Sequence, residues 1–233
     1  MSDEGFSAEQ QEYLEGFISG VSARRGALGQ PDSPIAAGGK LVPEEAAKRK
    51  GHPLDRWDAI AALATEDKFP RGTDVFLTNY HGLFYVAPAQ GSFMCRLRIT
   101  AGLLSATQLV GVAAIAEELG GGHADITTRA KLQIREIPAR HAPELLMRLA
   151  DLGVTSRGAG ADNVRNITAS PTAGTDPQEL IDTRPHARAL HRFILDHREL
   201  YGLPRKFNIA YDGGGRVQVL EDTNEIAFTA VTA

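Results

Sequence analysis

Cysteine is almost absent from this 233-residue chain, Cys95 being the only one. A single thiol excludes a disulfide within the chain and points to a reducing compartment. It also cannot supply the four thiolates of an iron–sulfur cluster. Long apolar runs are missing as well. No stretch approaches the roughly 18 residues of a membrane span or the core of a secretory signal, so a cytoplasmic location is expected. Charge of one sign is not in surplus: 25 Lys and Arg against 29 Asp and Glu leave a net charge of −4. No global field favours nucleic acid or an anionic membrane, and positive charge, if it matters, must act locally. Adjacent-turn histidine pairs are lacking too. His186, His191 and His197 share one expected helix, but none lies three or four residues from another, so no metal pair is expected and they read as polar-face residues. What remains is ordinary globular material, 42% hydrophobic, long enough for one large domain or two small ones.

Helix signals fill the first third. Ser7-Ala8-Glu9-Gln10 is a capping box, followed by Leu14, Phe17, Ile18 and Val21 at helical spacing and by Gly26 as a stop. Residues 27–41 lack periodicity and read as a loop or an arm over a neighbour. A turn or two of helix is expected over 44–50, and an amphipathic helix with Trp57, Ile60 and Leu63 over 54–65. Strands are expected from Asp74 onward: Val75-Phe76-Leu77 and residues 83–86, with 79–82 as the turn between them. Ser105-Ala106-Thr107-Gln108 is a second capping box, opening a helix that Gly120-Gly121-Gly122 stops. Those glycines follow a helix, so they make a poor phosphate cradle. A further helix over 142–152 ends at Gly153.

Charge on strands is the feature that points to chemistry. Side chains alternate across a strand. In residues 92–100, Phe93, Cys95, Leu97 and Ile99 therefore share one face, and Met94, Arg96 and Arg98 the other. Alone, this reads as a half-buried strand with a solvated outer face. Residues 124–135 repeat the pattern, with Leu132 and Ile134 on one side and Lys131, Gln133 and Arg135 on the other. Strand, helix, strand, helix makes a small α+β unit with its helices on one sheet face. The opposite face then carries Arg96, Arg98, Arg129, Lys131, Gln133 and Arg135, and neighbouring cationic faces repel unless an anion lies between them. A solvated face and an anion site both remain open at this point.

Residues 158–166, Gly-Ala-Gly-Ala-Asp-Asn-Val-Arg-Asn, form a glycine-rich turn that delivers Arg165 between asparagines. Arginine offers a rigid fork suited to carboxylates and small oxyanions. After a turn of helix at Asp176-Pro177, a helix is expected over 185–200 with Leu190, Phe193 and Ile194 as its apolar stripe. Residues 203–211 read as a strand with Lys206 and Asn208 on one face, and Val217-Gln218-Val219-Leu220 and Ile226-Ala227-Phe228 as two more. The chain stops at Ala233 directly after an apolar strand, which suggests a domain cut short.

Together these segments resemble the siroheme-dependent nitrite and sulfite reductases, most closely the assimilatory ferredoxin-type nitrite reductases. The motifs that carry the likeness are Phe93-Met94-Cys95-Arg96-Leu97-Arg98, Thr127-Thr128-Arg129, Gln133-Ile134-Arg135, Asp162-Asn163-Val164-Arg165-Asn166 and Leu203-Pro204-Arg205-Lys206-Phe207-Asn208. The resemblance implies an α+β chain in three parts. Residues 1–73 would be an N-terminal helical segment and arm, 74–157 a ferredoxin-like half-domain, and 158–233 an incomplete, mixed α/β siroheme- and substrate-binding domain. By family position, Arg98, Thr127, Thr128, Arg129, Gln133, Arg135, Asn166 and Arg205 would hold siroheme. Arg96, Arg165, Lys206 and Asn208 would surround the substrate anion. The reaction implied is six-electron reduction of nitrite to ammonia with electrons from ferredoxin. Sulfite reductases usually carry lysine at the position of Asn208, so the neutral asparagine favours monovalent nitrite, with sulfite as the alternative. The family's 4Fe–4S cysteines are absent, so the chain resembles an N-terminal half that is inactive alone and needs a missing half or second chain. A non-catalytic siroheme-binding module is the remaining alternative.

Overall fold

The computed structural model describes residues 41–85, 91–203 and 205–232. The expected helix over 7–26 and the loop over 27–40 lie outside the described residues.

Three short helices open the described chain: α1 Pro43–Lys50, α2 Trp57–Thr65 and α3 Thr73–Thr78. The last is a correction, because Val75-Phe76-Leu77 reads as a strand. Three β-formers in a row do not separate strand from buried helix. Here helical spacing wins by burying Leu77 and, one turn later, Tyr80. The expected turn at 79–82 is instead a 3-10 continuation, Asn79–His81.

A four-stranded antiparallel sheet follows, built from β1 Leu83–Phe84, β2 Phe93–Arg96, β3 Ala124–Ile126 and β4 Leu132–Ile137. Its order is β1-β2-β4-β3. The two charged strands are neighbours, with Arg96 opposite Gln133. What reads as one strand over 124–135 is a hairpin. Thr127 pins its turn through its backbone N–H to the Lys131 carbonyl (2.9 Å) and its Oγ1, which accepts from the Lys131 N–H (3.1 Å). Helices α4 Ala106–Leu119 and α5 Ala142–Asp151 cover one face. Val112, Ile115, Leu119, Leu145 and Leu149 pack there against Phe93, Cys95, Leu97 and Ile134, and Ile60 of α2 joins the same core. The capping box of α4 forms as expected, Ser105 Oγ accepting from Gln108 N–H at 3.1 Å.

The second sheet is parallel, β5 Thr168–Ala169, β6 Ile209–Asp212 and β7 Ile226–Thr229, in that order. Helix α6 Arg184–Asp196 buries Ala187, Leu190 and Ile194 against Val164, Ile167 and Ile209. Two expected elements are absent here. Residues 217–220 are not a strand, because the Asp212 carboxylate accepts from the Gly214 N–H (2.8 Å) and the Val219 N–H (2.5 Å) and bends the chain back before β7. Asp176-Pro177 is a turn without helix. The three histidines are also less exposed than their polar-face reading implies. All are half-buried, and His197 stacks on Phe193 with ring centroids 3.7 Å apart.

A cationic site where the two sheets meet

The uncovered face of the first sheet meets the loop over 158–166, and two arginines and an asparagine tie them together. Arg98 is 3% exposed. Its Nη1 donates to the Gly158 carbonyl (3.0 Å) and the Val164 carbonyl (2.8 Å), and its Nη2 to the Arg165 carbonyl (3.3 Å). Asn166 is fully buried, and its Nδ2 donates to the Ile99 carbonyl (2.6 Å) and the Arg129 carbonyl (3.0 Å). Arg129 reciprocates through Nη2 to the Asn166 carbonyl (3.2 Å) and to Asn224 Oδ1 (3.0 Å) of the second sheet's connection. Glycine is required at two loop positions by close approach. A Cβ on Gly158, at φ 71°, would lie 2.8 Å from the Tyr201 ring, and one on Gly160 would lie 2.8 Å from the Asn79 carbonyl and collide with Phe84.

The loop also pairs with the segment before β6. Val164 bridges Phe207 in parallel sense, with Arg165 N–H donating to the Phe207 carbonyl at 2.7 Å. Val164 and Phe207 pack into the second core. By alternation Arg165, Lys206 and Asn208 lie on the other side of this pairing.

Cations converge on that side. Arg165 Nη1 and Lys131 Nζ both donate to one carbonyl, that of Ala159, at 3.3 and 3.1 Å. Lys131 is 4% exposed, and burial, then the charges of Arg98, Arg165, Arg96 and Arg129, push its ammonium down to about 6. Burial lowers Arg96, Arg98, Arg129 and Arg165 too, and Arg96 adds to the effect on Arg165. The Arg96 guanidinium lies 4.5 Å from the Phe84 ring centroid. Among the described residues none of these five cations stands in an ion pair, and the Nε atoms of Arg96, Arg98 and Arg129 are buried without a partner. Asp162 acts on Arg165 through space, but its carboxylate faces Lys48 at 3.5 Å. Buried like charges with unspent donors are costly unless an anion completes them.

Of the residues expected to form the site, Arg96, Arg98, Arg129, Gln133, Arg165 and Asn166 come together here. Their roles differ from the sequence reading in two cases. Arg98 and Asn166 spend donors on backbone carbonyls and hold the loop. Thr127 shapes the hairpin. Four others sit differently: Thr128 and Lys206 are exposed, Arg205 is exposed and paired with Glu225 at 2.7 Å, and Arg135 is exposed and paired with Asp125. Asn208 is half-buried, its N–H donating to Glu225 Oε2 at 2.6 Å. Lys131 belongs to the cationic strand face in the sequence but has no site role there. Only the bend of the hairpin, which aims it at Ala159, reveals one.

An anion-binding junction between an antiparallel ferredoxin-like sheet and a parallel sheet defines a class of redox protein, and the comparisons identify which. The family description "Nitrite/Sulfite reductase ferredoxin-like half domain" matches residues 87–152, and "Nitrite and sulphite reductase 4Fe-4S domain" matches residues 160–233. The ferredoxin–nitrite reductase of Leptolyngbya laminosa is 44% identical over 155 residues, which is 64% of this chain and 30% of that protein. The chloroplastic ferredoxin–nitrite reductase of Spinacia oleracea is 34% identical over 207 residues, covering 82% of this chain and 35% of that protein. The solved structure of the Mycobacterium tuberculosis NirA protein superposes with a TM-score of 0.71 at 27% identity, over 88% of this chain and 39% of that one. The chain belongs to the nitrite and sulfite reductase family, and it spans about a third of the length of these curated relatives.

Proposed function

We propose that this chain supplies the siroheme- and nitrite-binding side of a ferredoxin-dependent nitrite reductase. The observation that carries the reading is the buried set of Arg96, Arg129, Lys131 and Arg165, with unspent donors and no ion pair among the described residues. Siroheme bears eight carboxylates and suits such a set, because guanidinium–carboxylate pairs are strong and directional. Arg129 and Gln133, with Arg96 and Lys131 beside them, are the residues placed to hold its carboxylates; Arg98, Thr127 and Asn166 position that face. Thr128, Arg135 and Arg205 complete the set on the exposed rim. When bound, siroheme supplies the iron at which nitrite is reduced. This chain's own residues do the remaining work. Arg165 and Arg96 place fixed positive charge where the substrate's negative charge develops, and Lys206 donates protons from the exposed side. Asn208 keeps that side one charge lower than a lysine would, which fits monovalent nitrite better than sulfite.

The 4Fe–4S cluster does not fit this chain. Its one thiol, Cys95, is fully buried in the first core, and burial pushes it up to about 12. Cluster ligands, and the surface that receives electrons from ferredoxin, therefore come from outside these 233 residues, and the isolated chain forms no ammonia from nitrite. The test is to add siroheme to the chain, then to add the remaining part of the reductase, and to compare nitrite with sulfite turnover. Faster specific turnover of sulfite refutes the substrate assignment. Ammonia formation by the chain with siroheme and a reduced donor refutes the division of labour.

A further inference from the structure

Lys131 is the one cation in the junction whose charge is negotiable. Arginine stays protonated under any ordinary condition, whereas a desolvated lysine gives up its proton readily. The geometry sharpens this. Lys131 Nζ and Arg165 Nη1 share the Ala159 carbonyl as acceptor, at 3.1 and 3.3 Å, so two buried cations compete for one neutral oxygen. The charged groups acting on Lys131 come from every element around it: Arg96 from β2, Arg98 from the segment after it, Arg129 from the hairpin turn and Arg165 from the loop. All are positive. Asp162, on the same loop, faces Lys48 instead.

We propose that Lys131 is a proton-accepting group of the anion site, neutral while the site holds no anion and charged once a carboxylate or oxyanion lies against it. Each binding event then draws one proton from solvent onto Nζ. This rests on the siroheme and nitrite reading of the junction and adds to it a titrating residue that links anion binding to protonation. Burial pushes Lys131 to about 6, so at neutral pH the amine starts largely neutral. An anion beside it restores the ammonium and removes the repulsion with Arg165.

The experiment is calorimetric titration of siroheme into the full chain at about pH 7.5, in buffers of different ionisation enthalpy. The expected result is uptake of about one proton more per siroheme by the unaltered chain than by Lys131→Met. Lys131→Arg, always charged, binds siroheme without that uptake. A ligand-free readout accompanies it. The unfolded lysine keeps its proton to about pH 10, so between about 6 and 10 the unfolded state holds more protons. The unfolding equilibrium constant should therefore fall about tenfold more per pH unit in the unaltered chain than in Lys131→Met. Binding with equal proton uptake in all three proteins overturns this inference alone. Failure of the unaltered chain to bind siroheme overturns the reading of the site, and this inference with it.

Discussion

Replacing Arg98 by Met separates a residue that builds the site from those that use it. The guanidinium is buried and gives two short hydrogen bonds, to the carbonyls of Gly158 (3.0 Å) and Val164 (2.8 Å), and a longer one to Arg165 (3.3 Å). Methionine fills similar space and donates nothing. Each orphaned buried carbonyl costs about 1–3 kcal/mol. Against this, the substitution removes a buried charge among like charges, which recovers part of the loss. The net loss is roughly 2–4 kcal/mol from these terms. With a slope of about 2 kcal/mol per molar urea, the unfolding midpoint drops by roughly 1–2 M. Arg165→Gln is the control. It removes one of two buried cations sharing the Ala159 carbonyl, so its midpoint holds or rises while anion binding weakens. An Arg98→Met midpoint equal to that of the unaltered chain would refute the clamp.

Other consequences are checkable in the same way. Gly160→Ala puts a methyl against the Asn79 carbonyl at 2.8 Å and into the Phe84 ring; it should lower stability by about 1–3 kcal/mol and weaken siroheme binding, both read by thermal unfolding with and without ligand. Ser105→Ala removes the capping box of α4 and should cost about 1 kcal/mol without altering siroheme affinity. Burial depresses His191 to about 3 and His81 to about 4, so the unfolded state binds more protons from about 6.5 downward. Stability therefore falls as pH drops through that window, and the fall should be shallower in a His191→Gln chain followed by urea unfolding across the range.

Much of this arrangement was legible in residue order. Period-two alternation placed Arg96 and Arg98 opposite Cys95 and Leu97, and the capping box at Ser105 marked α4, because both signals are local. The motif order supplied the family. Less legible were features set by partners distant in the chain. Val75-Phe76-Leu77 became helix because Leu77 and Tyr80 are buried together. The Arg135 side chain left the site because the backbone beyond it turns at Glu136, φ 58°, and Asp125 receives it across the hairpin. Arg98 looked like a ligand for an anion, since nothing local shows that three carbonyls some sixty residues later take its donors. Lys131 was passed over for the matching reason. Its role depends on Ala159, which only the junction of the two sheets brings within reach.

The central claim is that buried cations at this junction form a tetrapyrrole site, and the direct measurement is the absorption spectrum of the full chain titrated with siroheme. The account requires a stoichiometric Soret band in the unaltered chain and its loss when Arg96 and Arg165 are both replaced by Gln, with the folded state retained by circular dichroism. No band in the unaltered chain, or an equal band in the doubly substituted one, would contradict it.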